Sequence, residues 1–433
     1  MSHYDTNLEK NAANYVPLTP ISFLERAKDV YPNYEAIVYE DRKYTWAEVY
    51  KRTTKFASAL EKIGVSKGDT VSFLAFNTPE IFEAHYSVPM MGAVLNTINI
   101  RLDANTISYI LKHSDAKVLV VDRQLHIEVK KALSKLDKKI TIIDIHDKFA
   151  DQSKLEKIGE LEYESFLETG DDGFIWKRPE DEWQAISLSY TSGTTGNPKG
   201  VLYTHRSTII HTLAAANPDA FNLSSLDIIM PIAPMFHANA WGIPYVATMV
   251  GAKLVLPGRN LDGKSIYKLL EREKVTFTAA VPTIWLMLLE YLEKNNKSIN
   301  FLKSCAIGGS ACPKFMIEKF LEKYGVEVLH AWGMTETSPL GTVNKPLLKH
   351  VRLSKNEQIE LATKQGRPIY GVDIKITNDK GIELHRDGKN FGNLWVKGPW
   401  ICSGYLNITK SDTHRDDGWF LTGDVATIDG DGY

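Results

Sequence analysis

Short apolar runs alternate with amphipathic stretches through most of this chain. Segments 70–76 (TVSFLAF), 116–121 (AKVLVV), 140–145 and 185–190 are of strand length and largely apolar, the pattern of strands covered on both faces. Segments 79–90 and 104–112 carry helical periodicity, with Asp103 and Asn105 as candidate caps. Further along, 226–231, 252–257, 276–281 and 305–307 read as strands, with helical stretches such as 283–294 and 313–323 between them. Strand and helix alternating at this spacing predict an α/β fold of mainly parallel sheets covered by helices. From about residue 359 the texture changes to short strands at 372–377, 392–397 and 418–424, separated by turn-rich pieces at 378–381 and 386–392. That texture predicts a small antiparallel, β-barrel-like subdomain. Segment 148–180 is polar and irregular and is expected to connect two α/β units. The expected organisation is an α/β unit over 1–180, a second over 181–355 and a β-rich unit over 356–433.

Composition narrows the partners more than the fold. The 433 residues are 43% hydrophobic and 24% charged, with a formal net charge of -2. These values are ordinary for a globular protein and give no basic footprint for nucleic acid. No apolar run approaches the roughly 18–20 residues of a membrane helix, and the polar N-terminus has no basic start or apolar core of a secretory signal. The three cysteines, Cys305, Cys312 and Cys402, match no zinc or redox spacing. They are expected to be small buried thiols in a reducing, cytoplasmic setting.

The densest chemistry lies at 190–200 (YTSGTTGNPKG), between the strands expected at 185–190 and 201–204. Gly193, Gly196 and Gly200 allow positive φ and bring backbone N–H groups close to an anion. Thr191, Ser192, Thr194 and Thr195 add hydroxyl donors, and Lys199 adds a full positive charge. Together they can wrap a polyphosphate. The loop is not a Walker A sequence, because no Gly-Lys-Ser/Thr stands at the required spacing.

This loop resembles the Ser-Gly-Thr-Thr-Gly-x-Pro-Lys-Gly phosphate signature of the adenylate-forming superfamily. That group holds acyl- and aryl-CoA synthetases, nonribosomal peptide adenylation domains and beetle-type luciferases. Four later segments match the same pattern in order. Pro234-Met235-Phe236-His237 resembles the Pro-x-Phe-His segment whose aromatic position closes off the acyl site. Trp241 follows four residues on, one helical turn away if the piece is helical, either lining that pocket or packing in the core. Gly308-Gly309-Ser310-Ala311 stands at a strand end, where a glycine pair lets a flat ring approach the backbone. The resemblance makes it one wall of an adenine pocket, whereas on its own it reads as a strand-to-helix turn.

His330-Ala331-Trp332-Gly333-Met334-Thr335-Glu336 matches the aromatic-Gly-x-Thr-Glu pattern, with tryptophan where many relatives carry tyrosine. Trp332 offers a face to adenine, Thr335 a donor to the α-phosphate, and Glu336 a hard oxygen for Mg²⁺. Asp424, in the segment 418–424 (GWFLTGD), corresponds to the carboxylate that accepts from the ribose hydroxyls.

The resemblance implies that ATP activates a carboxylic acid as acyl-AMP and that coenzyme A then takes the acyl group. Thr335, Glu336, Lys199 and His237 become the expected catalytic residues, Glu336 the metal ligand, and His237, Trp241, Gly308 and Trp332 the expected acyl pocket. Nucleotide contacts are expected from Thr191, Ser192, Gly193, Thr194, Thr195, Lys199, Gly309, Ser310, Ala311, His330, Ala331, Trp332, Thr335 and Asp424. Segments 14–20 (NYVPLTP), 44–46 (YTW) and 92–99 (GAVLNTIN) resemble the short- and medium-chain branch, which includes methylmercaptopropionate CoA ligases. Homodimers are common in the family. Relatives also carry a smaller C-terminal domain after the Thr-Gly-Asp segment, with a hinge and an adenylation lysine, and the sequence to Tyr433 does not include it. The expectation is the large ATP-binding part of such an enzyme, impaired on its own; the alternative is a nucleotide-binding module without ligase activity.

Overall fold

The computed structural model describes residues 3–191, 196–409 and 411–433. Three sheets organise it. The first has seven strands in the order Leu161–Glu162, Thr141–Ile145, Ala116–Asp122, Thr70–Leu74, Val94–Thr97, Ala185–Tyr190 and Gly200–Thr204. Neighbours are parallel except the last pair, an antiparallel hairpin at the sheet edge. All five residues of Thr70–Leu74 are buried, as the uninterrupted apolar run requires of a strand with both faces covered.

The second sheet has nine strands in the order Arg367–Pro368, Leu340–Val343, Glu327–Gly333, Ser304–Ile307, Phe277–Ala280, Ile228–Pro231, Lys253–Val255, Glu35–Tyr39 and Arg42–Thr45. It is parallel in its centre and antiparallel at both ends. The third, Asp373–Thr377, Phe391–Lys397 and Phe420–Thr427, is a three-stranded antiparallel sheet that remains open, with no closed barrel among the described residues.

Strand membership crosses residue 180 in both directions. The hairpin 35–45 joins the nine-stranded sheet, with Ile37 opposite Leu254, and the strands at 185–204 join the seven-stranded one. The segment 190–200 therefore belongs to the edge of the first sheet. The reason is non-local: the edge left open by Lys253–Val255 is filled by the chain that packing brings there, and local periodicity carries no address.

Helices fill the space between the sheets. Every residue of Pro79–Met90 is buried, with proline at its first turn, and Tyr86 Oη donates to Pro244 O at 3.1 Å in the helix Ile243–Val250. One hydrophobic core runs through both sheets, from Val71, Phe73 and Leu95 to Leu254, Phe277 and Leu329. The helix expected at 313–323 forms in two parts, an α-helix at Lys314–Glu318 and a π-helical turn at Lys319–Tyr324. No helix among the described residues is long and apolar enough to cross a membrane. All three cysteines are free and buried, and burial pushes the Cys312 and Cys402 thiols up to about 12.

One side chain ties the sheets together. Asn77, three residues after the strand Thr70–Leu74, donates through Nδ2 to Pro231 O at 2.8 Å and Ala233 O at 3.0 Å. Its Oδ1 accepts from Met235 N at 2.8 Å. Asn77→Ala would strand three buried backbone groups, and a loss of about 3 kcal/mol is expected, read as a lower midpoint in urea unfolding.

Candidate active site

The strand Ala185–Tyr190 leads into the glycine-rich loop and Gly200–Thr204 leads out of it. Tyr190 pairs with Gly200. Beyond that pair, Thr191 N donates to Lys199 O at 3.0 Å and Lys199 N to Thr191 Oγ1 at 3.4 Å, which closes the neck of the loop. Ser192, Gly193, Thr194 and Thr195 lie outside the described residues. Lys199 is exposed, with its Nζ 4.9 Å from the centre of the Tyr405 ring, a cation–π contact.

Tyr405 joins this neck to the carboxylate expected to serve a metal. Its hydroxyl donates to Glu336 Oε1 at 2.8 Å. The segment that carries Tyr405 is stitched to the edge strand by a bridge to Val201 and by Leu406 N donating to Gly200 O at 2.8 Å. It is tied to the other side by Cys402 N donating to Glu336 O at 2.8 Å. Tyr203 on the same edge strand donates to Thr335 O at 2.7 Å. Lys199, Thr335 and Glu336, up to 137 positions apart in the chain (336 − 199), therefore meet at one junction through two tyrosines. No local pattern marks Tyr203 or Tyr405, so sequence reading missed both.

Thr335–Thr337 forms a 3₁₀ turn after the strand Glu327–Gly333, and Thr335 and Glu336 are each 7% exposed. Thr337 fixes the turn, donating to Met334 O at 3.0 Å and accepting from Met334 N at 3.0 Å. The Thr335 hydroxyl and Glu336 Oε2 have no protein partner among the described residues. A lone carboxylate oxygen suits a cation held mainly by phosphate oxygens and water. No cluster of three or more potential protein ligands exists among the described residues.

The expected adenine wall sits at the carboxyl ends of two neighbouring parallel strands, with Ile307 opposite His330, where ligands bind in open α/β sheets. Gly309, Ser310 and Ala311 are exposed at the end of Ser304–Ile307. Trp332 lies half-buried across the antiparallel neighbour strand, and a Cβ on Gly341 would come 2.5 Å from its ring, so one face is covered by backbone. Its Nε1 donates to Asp424 Oδ2 at 2.9 Å, which joins two expected nucleotide contacts 92 positions apart.

His330 has a different setting from its neighbours. Its side chain is fully buried and Nε2 accepts from Cys312 N at 3.2 Å, so the ring props the 308–312 loop from behind. Burial lowers its pKa. Ala331 is buried as well, and its carbonyl lies 3.1 Å from where a Cβ on Gly308 would be.

Where the acyl pocket is expected, His237 keeps solvent contact while the surrounding protein lowers its pKa by desolvation. Trp241 does touch Gly308: a Cβ there would sit 3.5 Å from the indole Cη2. The link between His237 and Trp241 is not an ordinary helical turn, because Ala238 through Trp241 all have positive φ. Beneath them lies His211, whose Nε2 accepts from Leu340 N at 3.2 Å. Burial drives its pKa down to about 3.

A histidine held below its free value of about 6.5 binds fewer protons when folded than when unfolded. The stability it leaves intact above that value is lost as pH falls from there toward about 3. His85 and His205, at about 4, act in the same direction. Urea unfolding at several pH values should therefore show stability falling through this window, and His211→Leu should reduce the slope by roughly one proton.

A family profile described as AMP-binding enzyme matches residues 24–406. The chain is 47% identical over 391 residues to the medium-chain-fatty-acid–CoA ligase of Ectopseudomonas oleovorans, covering 90% of this chain and 70% of that protein. It is 41% identical over 422 residues to the 3-methylmercaptopropionyl-CoA ligase of Ruegeria lacuscaerulensis, covering 96% and 78%. In fold it is similar to an anthranilate CoA ligase solved with anthranoyl-AMP, with a TM-score of 0.86 at 23% identity over 98% of this chain and 78% of that one. The alternative of a nucleotide-binding module without ligase activity gains no support from these relatives. The chain belongs to the AMP-binding enzyme family.

Proposed function

We propose that this protein activates a short- or medium-chain carboxylic acid with ATP and passes the acyl group to the thiol of coenzyme A. The observation that carries the reading is the junction of Lys199, Thr335 and Glu336, joined by Tyr203 and Tyr405. A carboxylate oxygen of the acid attacks the α-phosphorus of ATP, the bond to the β-phosphate oxygen breaks, and pyrophosphate leaves. The acid is itself the nucleophile, so the protein has to align the reactants and counter charge. Lys199 faces the departing pyrophosphate, and the Thr335 hydroxyl, without a protein partner among the described residues, donates to the α-phosphate. Glu336, through an Oε2 likewise without a partner among them, would hold Mg²⁺, which when bound neutralises phosphate oxygens. Trp332 offers its uncovered face to adenine, and Asp424 exchanges its indole partner for ribose hydroxyls. In the second step the thiol sulfur attacks the acyl carbon, the thiol proton is lost, and AMP departs.

Two features bear on the other substrates. The indole of Trp241 against Gly308 takes up volume expected to belong to the acyl pocket. This favours the compact acids named for the relatives, medium-chain fatty acids and 3-methylmercaptopropionate. A cleft of about 400 Å³ between the sheets is lined by Phe76, Ile100, Pro234 and Phe236 and edged by Arg101 and Arg259. An apolar passage with guanidinium groups at its rim suits a long thiol that ends in phosphates. The three buried free thiols suit a cytoplasmic setting.

The test is ATP–pyrophosphate exchange by the complete gene product across a panel of acids, with acyl-AMP trapped as hydroxamate. Exchange is expected with four- to ten-carbon acids. Glu336→Gln should lower it by roughly 100-fold, and Lys199→Ala should mainly weaken polyphosphate handling. Exchange unchanged in Glu336→Gln would refute the metal role, and no exchange with any acid would refute the reading.

A further inference from the structure

The turn after His237 is built on a costly backbone. Ala238, Asn239, Ala240 and Trp241 have φ of 45°, 53°, 49° and 59°, and Gly242 follows at 78°. Left-handed geometry is unfavourable for residues that carry a side chain and normally occurs singly. A run of four persists only where its surroundings over-determine it.

Main-chain bonds supply part of the hold. Ala240 N donates to Pro234 O at 3.2 Å and His237 O at 3.1 Å, and Gly242 N to Asn239 O at 3.0 Å. The rest comes from Asn239, the one side chain of the four that offers both a donor and an acceptor. It is 2% exposed, and its amide meets Ser187 Oγ at 3.3 and 3.4 Å. Ser187 stands on a strand of the seven-stranded sheet. The turn is thus fastened from beneath to the first sheet, at a position where asparagine bears left-handed geometry better than most residues. At its far end Trp241 is delivered against Gly308.

We infer that Asn239, seated on Ser187, is a positioning residue that keeps the 238–241 turn left-handed and Trp241 against Gly308, and thereby sets the length of acyl chain the site accepts. The inference deepens the functional reading above and rests on it. The fastening adds to the main-chain bonds that hold a backbone strained at four successive residues. Removing it releases the turn, and the indole leaves the space it occupies.

The test measures binding of non-hydrolysable acyl-adenylate analogues with four- and ten-carbon chains by calorimetry. Asn239→Ala removes the fastening and makes the left-handed backbone costlier, so the ten- to four-carbon affinity ratio should rise about tenfold, or about 1.4 kcal/mol. Asn239→Gly removes the fastening but relieves the backbone, so the ratio should rise less. In a Trp241→Ala background the ratio should already be high, and Asn239→Ala should add nothing, since the asparagine acts through the indole. Ser187→Ala carries the same expectation if Asn239→Ala does not fold. A ratio unmoved in all the Asn239 and Ser187 variants, or an equal shift with and without Trp241, overturns the inference alone. Failure of the unsubstituted protein to bind either analogue overturns the functional reading and the inference with it.

Discussion

Three hydrogen bonds from the Asn77 side chain fix how the two large sheets sit on each other. Both amide functions are spent on the backbone of residues 231–235, and Asn77 O accepts from Gly258 N at 3.1 Å besides. An aliphatic side chain there would leave the same carbonyls and N–H buried without partners, so the polar clamp is specific as well as stabilising. Its reach extends past the residues it touches. Phe236, His237 and the left-handed turn follow directly from the clamped segment, and Thr97 of the first sheet donates to Phe236 O at 3.3 Å. The segment proposed to line the acyl pocket is therefore held from the first sheet.

The side proposed for the phosphates is assembled by a different device. An edge hairpin of the first sheet, the end of a central strand of the second and a segment beyond residue 400 meet around Tyr203 and Tyr405. Each phenol reaches across from one segment to a carbonyl or carboxylate of another. Burial raises both phenols above their ordinary pKa, so they remain proton donors at physiological pH. The aromatic face of Tyr405 serves Lys199 at the same time. One side chain thus orders both Lys199 and Glu336.

Much of this was legible in the sequence, for reasons that separate local from distant causes. The strands at 70–74, 116–122, 185–190 and 304–307 and the helices at 79–90 and 104–113 were readable because period and capping are local. The neck formed by Thr191 and Lys199, the pairing of Trp332 with Asp424 and the contact of Trp241 with Gly308 join residues already singled out by the loop's chemistry or by the family resemblance. Sheet membership of the hairpin 35–45 was not readable, because a strand's partner is chosen by packing. Nor was the role of His330, whose ring faces the back of the 308–312 loop, or that of Tyr405 and Asn239, which look ordinary until folding brings Glu336 and Ser187 beside them.

The interleaving of the sheets bears on how the chain reaches its folded state. Ile37 pairs with Leu254, 217 positions later (254 − 37). During synthesis the early hairpin leaves the ribosome long before the edge it will occupy exists. Its apolar side chains, Ile37 and Val38 on opposite faces and both fully buried in the end, must wait in the open or in transient company. Loop closure over such a distance slows assembly and lengthens the interval in which a sticky strand can find the wrong neighbour. A protein knitted in this way depends on its early segment being sheltered until its late one arrives.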